Sequence, residues 1–329
     1  MKWPKGAAGH AMAGVPFFLA AAAAPVLGET WTTILTLAFL FVLLSQAWNL
    51  VGGIAGQFSL GHSLFFAAGA YTSTLLFRHF GLSPWIGMLA GGAVAAAMGA
   101  AMAWVSFRYA LPPLSFALVT LALAMLGYLL LSTVDYVGAS RGLTLPMRGD
   151  WTTMHFRSDS AYYYVVLALA ATAFAFTSLI YERRLGIYLR CIRDNERAAR
   201  AIGIDVLRYK IVAMMVSGAL TAFGGTFFAQ YLQYIDPRTF GGIEIVIQII
   251  LFTGVGGSGT IWGPVLGPLL LIPASELLRS ALAGQFNGLS LMIYGVVLVA
   301  AIRFMPGGIM AAAARLARPR STLNSGVER

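Results

Sequence analysis

Residues 52–71 read GGIAGQFSLGHSLFFAAGAY, a glycine-rich stretch in an otherwise strongly apolar chain. Glycine interrupts helices, and non-helical backbone at membrane depth must face protein or a water-filled cavity because lipid cannot satisfy its amides and carbonyls. A second stretch of this kind, GVGGSGTIWGPVLGP, occupies residues 254–268. The two interruptions predict a membrane bundle whose helices are broken in two places.

The composition places the whole chain in a membrane. Of 329 residues, 59% are hydrophobic and only 10% are charged, with a mean hydropathy of +0.78, whereas a soluble protein has about 25% charged residues. About 20 apolar residues cross the ~30 Å hydrocarbon core. The candidate segments are residues 11–27, 32–51, 54–77, 83–107, 111–134, 161–180, 210–232, 241–256, 260–279 and 286–305. The sequence therefore predicts an all-α polytopic bundle of about ten transmembrane helices.

The basic residues predict the orientation, because Lys and Arg in short loops stay on the cytoplasmic side. With both termini in the cytoplasm, 16 of the 22 Lys and Arg residues lie inside. The net charge of +10 then follows from topology and does not indicate a nucleic-acid partner. Residues 1–28 resemble a secretory signal, but we expect an uncleaved first helix, since its removal would leave an odd number of crossings.

No polar linker divides the chain into domains. We expect one transmembrane domain over residues 1–308, with a charged cytoplasmic loop at residues 182–210. Residues 309–329 are basic and polar, which predicts a disordered cytoplasmic tail.

The inner loop reads ERRLGIYLRCIRDNERAARAIGIDVLRYK and is the one densely charged stretch of the chain. As one helix, it would carry four arginines on a single face. These are Arg190, Arg193, Arg197 and Arg200. Such a face predicts a docking surface for a soluble partner; the alternative is that the arginines bind anionic lipid headgroups.

The second half of this loop has the features of a short docking helix. Glu196 precedes Arg200 by four residues, the favourable order for a helical ion pair. Ala198 and Ala199 form a small-residue patch, and Gly203 is placed to end the helix.

Motifs for chemistry on this chain are missing. The sequence has no GxxxxGK[ST] phosphate loop, no HExxH and no cysteine cluster, and its four histidines are scattered. We therefore expect no catalytic residues, no metal site and no bound cofactor. Ser59 and His62, three residues apart, leave an intramembrane hydrolase as an alternative.

The two glycine-rich stretches are the candidate substrate path, since broken helices in each half are where many transporters bind their substrate. The candidate path residues are Gly56, Gln57, Ser59, Gly61, His62, Gly256 and Gly257. Close helix packing through small-xxx-small pairs is the alternative for the glycines. An ion-coupled transporter has little support, because Glu244 and Glu276 both lie near segment ends where they can reach the interface.

Four stretches together resemble a known family. They are residues 48–76, VGASRGL at residues 137–143, residues 183–210, and GVGGSGTIWGPVLGPLLL at residues 254–271. The chain resembles LivM-type permease subunits of bacterial ATP-binding-cassette importers for branched-chain amino acids. Residues 196–203 match the family's EAA-x3-G coupling motif with one inserted residue, and the I-x-L-P that follows it in the family is absent.

The resemblance implies a type II importer-like fold in the bacterial inner membrane and a subunit that is not itself an enzyme. It also implies four kinds of partner: a second homologous permease, two cytoplasmic ATPases that bind ATP and Mg, an extracytoplasmic solute-binding protein, and membrane lipid. Urea and short-amide permeases belong to the same family, so they are the alternative for the substrate.

Overall fold

The computed structural model describes residues 14, 17–18, 21–22, 28–109, 112–145, 150–281, 295 and 307–311. Helices make up most of these residues, and their only sheet is the two-residue antiparallel pair of β1 (Leu143–Thr144) with β2 (Tyr234–Ile235). The predicted all-α membrane bundle is confirmed.

The membrane-embedded helices before the inner loop are α1 (Glu29–Asn49), α2 (His62–Phe80), α3 (Pro84–Arg108), α4 (Pro113–Thr133) and α5 (Asp159–Glu182). The inner loop holds α6 (Arg184–Asp194) and α7 (Glu196–Ala201). The later helices are α8 (Val206–Leu232), α9 (Pro237–Gly241), α10 (Ile243–Gly256) and α11 (Gly263–Ala281). Short 3-10 turns at Asp135–Val137, Ala139–Arg141 and Trp151–Thr153 shape the outer loop.

Six helical stretches of the described residues are long and apolar enough to cross a membrane. They are Glu29–Ile54, Pro84–Arg108, Pro113–Thr133, Asp159–Glu182, Val206–Leu232 and Pro237–Gly256. Helices α2 and α11, in the predicted third and ninth segments, are 19 residues each and fall outside this set. The first and tenth segments lie almost entirely outside the described residues, as does the predicted tail beyond residue 311. The count of ten crossings therefore stays a prediction.

Helix α8 lies at the centre of the bundle because its glycines let neighbouring helices approach backbone to backbone. A Cβ on Gly225 would strike the Phe66 carbonyl of α2, and one on Gly69 would strike the Ala222 carbonyl of α8. A Cβ on Gly218 would lie 2.9 Å from the α3 carbonyl oxygen of Ala95. Small residues at helix crossings bring van der Waals contact that lipid cannot provide.

The first glycine-rich break is shorter than predicted. Helix α1 continues as a π-helical turn over Leu50–Ile54, Gly56 takes a left-handed conformation at φ +67°, and α2 starts only at His62. Residues 55–61 are therefore the non-helical part of the candidate segment 54–77. The second break is likewise confined to residues 257–262, between α10 and α11.

The inner loop is two helices and not one. Asn195 has an extended backbone, with φ −159° and ψ 104°, and its Oδ1 accepts a hydrogen bond from the Ala198 amide, 3.1 Å away. This cap starts a new helix in a new direction. The predicted single arginine face is therefore wrong, since Arg193 ends α6 whereas Arg197 belongs to α7. Gly203 follows α7 at φ +84°, as the predicted helix end requires.

We expect Gly225→Ala to destabilise the bundle by about 1–3 kcal/mol, because overpacking forces α2 and α8 apart. Gly254→Ala is the matched control: its Cβ would meet nothing within 4 Å, and alanine favours the helix. Thermal unfolding of the purified protein in detergent measures both changes. Equal melting temperatures for the two variants would contradict this account of the crossing.

Candidate functional site

Amide side chains at the end of α1 hold the second break against the first. The Asn49 Oδ1 accepts from the Gly259 amide at 2.8 Å, and its Nδ2 donates to the Thr260 carbonyl at 2.8 Å. One turn earlier, the Gln46 Nε2 donates to the Ile261 carbonyl at 2.9 Å. Asn49 and Gln46 are fully buried. Side-chain amides thus replace the helical hydrogen bonds that residues 257–262 lack.

Arg193 connects the inner loop to both breaks. Its Nη1 donates to the Gly53 carbonyl at 3.1 Å, inside the π-helical turn. A Cβ on Gly56 would lie 2.4 Å from its Cγ, and a Cβ on Gly259 would lie 2.9 Å from its Nη1. One side chain of α6 therefore touches both glycine-rich stretches. We call this contact set, formed by Asn49, Gly53, Gly56, Arg193 and Gly259, the junction.

The non-helical residues 55–61 are held on both sides. The Trp48 indole donates to the Ser59 carbonyl at 2.9 Å, and the Leu60 amide donates to the Thr120 hydroxyl of α4 at 3.0 Å. The Gln57 side-chain Nε2 donates to the Ala55 carbonyl at 3.2 Å, and its backbone amide donates to the Val51 carbonyl at 2.9 Å. The segment is thus fixed between α1 and α4.

His62 begins α2 and is completely buried. The Ser217 hydroxyl donates to the Ala47 carbonyl at 2.6 Å, so it accepts from the His62 Nε2–H at 2.8 Å. Nδ1 is then the unprotonated nitrogen, and it has no partner among the described residues. The Ser59 hydroxyl instead accepts from the Gly61 amide at 3.3 Å. Ser59 and His62 do not share a helical face, as the hydrolase alternative required, since Ser59 lies outside α2.

The predicted path residues fall into two neighbouring groups. Gly56, Gln57, Ser59, Gly61 and His62 lie in or directly after the first break, whereas Gly256 and Gly257 lie where α10 ends. Sequence reasoning missed the groups that join them, Gln46 and Asn49. Their signal was two amides three residues apart, on one face of an apolar helix that leads into a break.

Glu196 anchors α7 to the base of α8. Its Oε1 accepts from the Arg200 Nη2 at 2.5 Å, the predicted i, i+4 pair, and its Oε2 accepts from the Lys210 Nζ at 2.6 Å. Lys210 is only 5% exposed, and its Nζ lies 4.5 Å above the Phe107 ring of α3. Burial alone would raise the pKa of Glu196, but bonds and charges from Lys210 and Arg200 outweigh it and hold that pKa below its ordinary value.

We expect Asn49→Ala to loosen the junction, because the Gly259 amide and the Thr260 carbonyl both lose their partner in a buried place. Each unmade buried hydrogen bond costs about 1–3 kcal/mol. Hydrogen exchange of residues 257–262, followed by mass spectrometry, should speed up strongly in this variant. Thr172→Ala on the exposed face of α5 is the control. Equal exchange in both variants would contradict the holding role of Asn49.

The stabilising effect of Glu196 should depend on pH. A carboxyl whose pKa is lowered by folding contributes stability above its ordinary pKa of about 4.3 and loses it as pH falls through the lower folded value. The melting-temperature difference between wild type and Glu196→Gln should therefore be largest near neutral pH and shrink below about pH 4.3. A difference that stays constant down to about pH 3 would show that the charge of Glu196 contributes nothing.

Comparisons with known proteins agree with this architecture. A family model described as branched-chain amino acid transport system, permease component, matches residues 30–302. The permease protein LivM of the high-affinity branched-chain amino acid transport system of Escherichia coli K12 is 28% identical over 322 residues, covering 89% of this chain and 72% of the relative. LivH of the same organism and system is 24% identical over 291 residues, covering 84% of this chain and 92% of the relative.

A probable LivM from Methanocaldococcus jannaschii is 24% identical over 186 residues, covering 54% of each chain. No solved structure matches the chain. The family model covers most of the chain, including both breaks and the inner loop between them. The chain therefore belongs to the family of permease components of branched-chain amino acid transport systems.

Proposed function

We propose that this chain is the membrane-spanning permease subunit of an ATP-driven importer for branched-chain amino acids, and that it forms part of the translocation path. The observation that carries the proposal is Arg193, which joins the cytoplasmic loop to both helix breaks. A loop that is moved by a partner protein can act on the path only through contacts of this kind. Family membership and the printed names of the relatives support the substrate class.

The energy enters from partner chains in this proposal. The sequence has no phosphate loop, so ATP and Mg bind to two cytoplasmic ATPase subunits. Helix α7 offers them a docking surface in which Ala198 is exposed and Ile202 is 74% exposed, whereas Ala199 is buried and holds α7 in place. An apolar side chain that exposed on a basic cytoplasmic helix is a good anchor for a protein groove.

The mechanical route from α7 to the path runs through α6. Leu189 and Ile192 are buried, and the Arg190 guanidinium lies 4.0 Å from the centre of the Tyr181 ring at the end of α5. Helix α6 is therefore packed along its length, and a push on α7 reaches Arg193 directly, in the last turn of α6 beside α7. Moving Arg193 withdraws the donor from the Gly53 carbonyl, which frees both breaks to rearrange.

The remaining partners follow from the same proposal. The matches to both LivM and LivH support a second homologous permease beside this one. An extracytoplasmic solute-binding protein would deliver the amino acid, and both termini would lie in the cytoplasm, as the distribution of Lys and Arg predicts. The chain itself catalyses no reaction and binds no cofactor.

The test is uptake of labelled leucine into proteoliposomes that contain either this chain alone or the assembled transporter. We expect ATP-dependent accumulation only in the assembly. Arg193→Gln should lower uptake per ATP hydrolysed by about tenfold, because the Gly53 and Gly259 contacts are lost while the ATPases still turn over. Arg108→Gln, at the cytoplasmic end of α3, removes the same charge outside the inner loop and should leave the ratio unchanged.

Uphill uptake by the chain alone would contradict ATP coupling and favour an ion-coupled transporter. Accumulation of urea but not leucine by the assembly would assign the substrate to the short-amide branch of the family. Wild-type coupling in Arg193→Gln would show that force does not pass through the junction.

A further inference from the structure

A cavity of about 210 Å³ lies at the far end of α10 from the junction, between α4 and the turn that joins α9 to α10. Its wall includes Leu121 and Met125 of α4, Arg238, Ile243, Glu244, and Ser63 of α2. Pockets for drug-sized ligands measure about 300–1,000 Å³, so the occupant of this cavity is smaller than those ligands.

The wall combines two opposite charges with an aliphatic surface. Among the described residues, Arg238 and Glu244 form no ion pair, either with each other or with another side chain. Ser63 is 1% exposed and also lines the cavity. Arg238 and Glu244 are exposed and line the cavity, so each can bind a group of opposite charge on a ligand. A carboxylate and an ammonium on one small apolar molecule would pair with them.

The polar groups of α10 favour a face that is covered by water or by another protein chain. Glu244, in the first turn of α10, and Gln248, one turn further along, are both exposed on the isolated subunit. Glu244 can reach the interface from the end of its helix, whereas Gln248 lies deeper in the stretch Pro237–Gly256, where polar side chains face the bundle or a water-filled cavity. Helix α4, on the other side of the cavity, is the least buried of the spanning helices that the structure describes. We therefore expect the cavity to open toward the path or toward a second permease.

Helix α10 links this cavity to the junction. It is 14 residues long, or about 21 Å, and runs from Ile243 at the cavity to Gly256, directly before the second break. Helix α10 begins after Gly242, whose extended backbone has ψ 154°, so the first amides of α10 have no helical partners. These amides lie beside Arg238. Amides and a guanidinium together suit a carboxylate. A shift at residues 257–262 would move the whole rigid helix, and with it Glu244.

We propose that this cavity is the point on the path where the subunit binds an aliphatic zwitterionic amino acid. The carboxylate lies against Arg238 and the first amides of α10, the ammonium against Glu244, and the side chain against Leu121, Met125 and Ile243. This inference rests on the proposed function. It assigns the substrate contact to a place 14 residues along the chain from the glycine-rich break, which then acts as the gate.

Cysteine protection in the assembled transporter tests the site. Cys191 is the only cysteine and can be replaced by serine, so single cysteines can be placed at will. Met125→Cys puts a thiol in the cavity wall; Leu126→Cys is the control, since it lies outside the wall at nearly the same exposure, 53% against 51%. Leucine at about ten times its Kd should slow alkylation at position 125 about tenfold and leave position 126 unchanged.

A second variant checks the ammonium contact. Glu244→Gln keeps the shape of the side chain and should raise the leucine concentration needed for protection about tenfold. Glu276→Gln, on α11 in an existing pair with Arg279 at 2.7 Å, is its control and should change nothing.

Each outcome decides one claim. Unprotected Met125→Cys in a transporter that still accumulates leucine would overturn the cavity and leave the proposed function standing. Protection by urea but not by leucine would overturn the zwitterion class. A wild-type assembly that accumulates no leucine would overturn the proposed function, and this inference with it.

Discussion

Backbone amides and carbonyls that leave a helix inside a membrane must form hydrogen bonds with other groups of the protein. The two helix breaks depend on the side chains that supply these hydrogen bonds. Lipid offers no hydrogen bonds, and each unsatisfied group costs several kcal/mol. Asn49 satisfies one amide and one carbonyl of the second break, and Arg193 satisfies a carbonyl of the π-helical turn that leads into the first. The breaks are therefore stable only while α1, α6 and residues 257–262 remain in contact.

This constraint explains why the inner loop lies where it does. Removing a charged guanidinium from water is costly, so Arg193 can reach Gly53 only from the aqueous side. Its side chain is accordingly still 36% exposed. Glycine at positions 56 and 259 makes room for it, since a Cβ at either place would collide with the arginine. The charge of the loop, the glycines of the breaks and the amides of α1 thus form one interdependent unit.

Much of this was accessible from the sequence, and the exceptions have physical causes. The spanning segments, the two breaks and the Glu196–Arg200 pair follow from local pattern and were predicted. The split of the inner loop was not, because a 3.6-residue periodicity continues through Asn195 although its side chain caps a new helix. The contacts of Gln46 and Asn49, more than 200 residues along the chain, depend on tertiary packing that a single sequence does not encode locally.

The same bonds limit how the junction can open. If α6 withdraws Arg193, the Gly53 carbonyl keeps a place in the π-helical turn but loses its donor, and lipid cannot replace it. Water entering from the side of the inner loop is the available substitute, so opening the junction and wetting it have to be one event. In the closed state these hydrogen bonds take the place of water at the Gly53 carbonyl and at residues 259 and 260. The proposed coupling through Arg193 would follow from this, since the loop that we propose to contact the ATPases also holds the bond that water replaces.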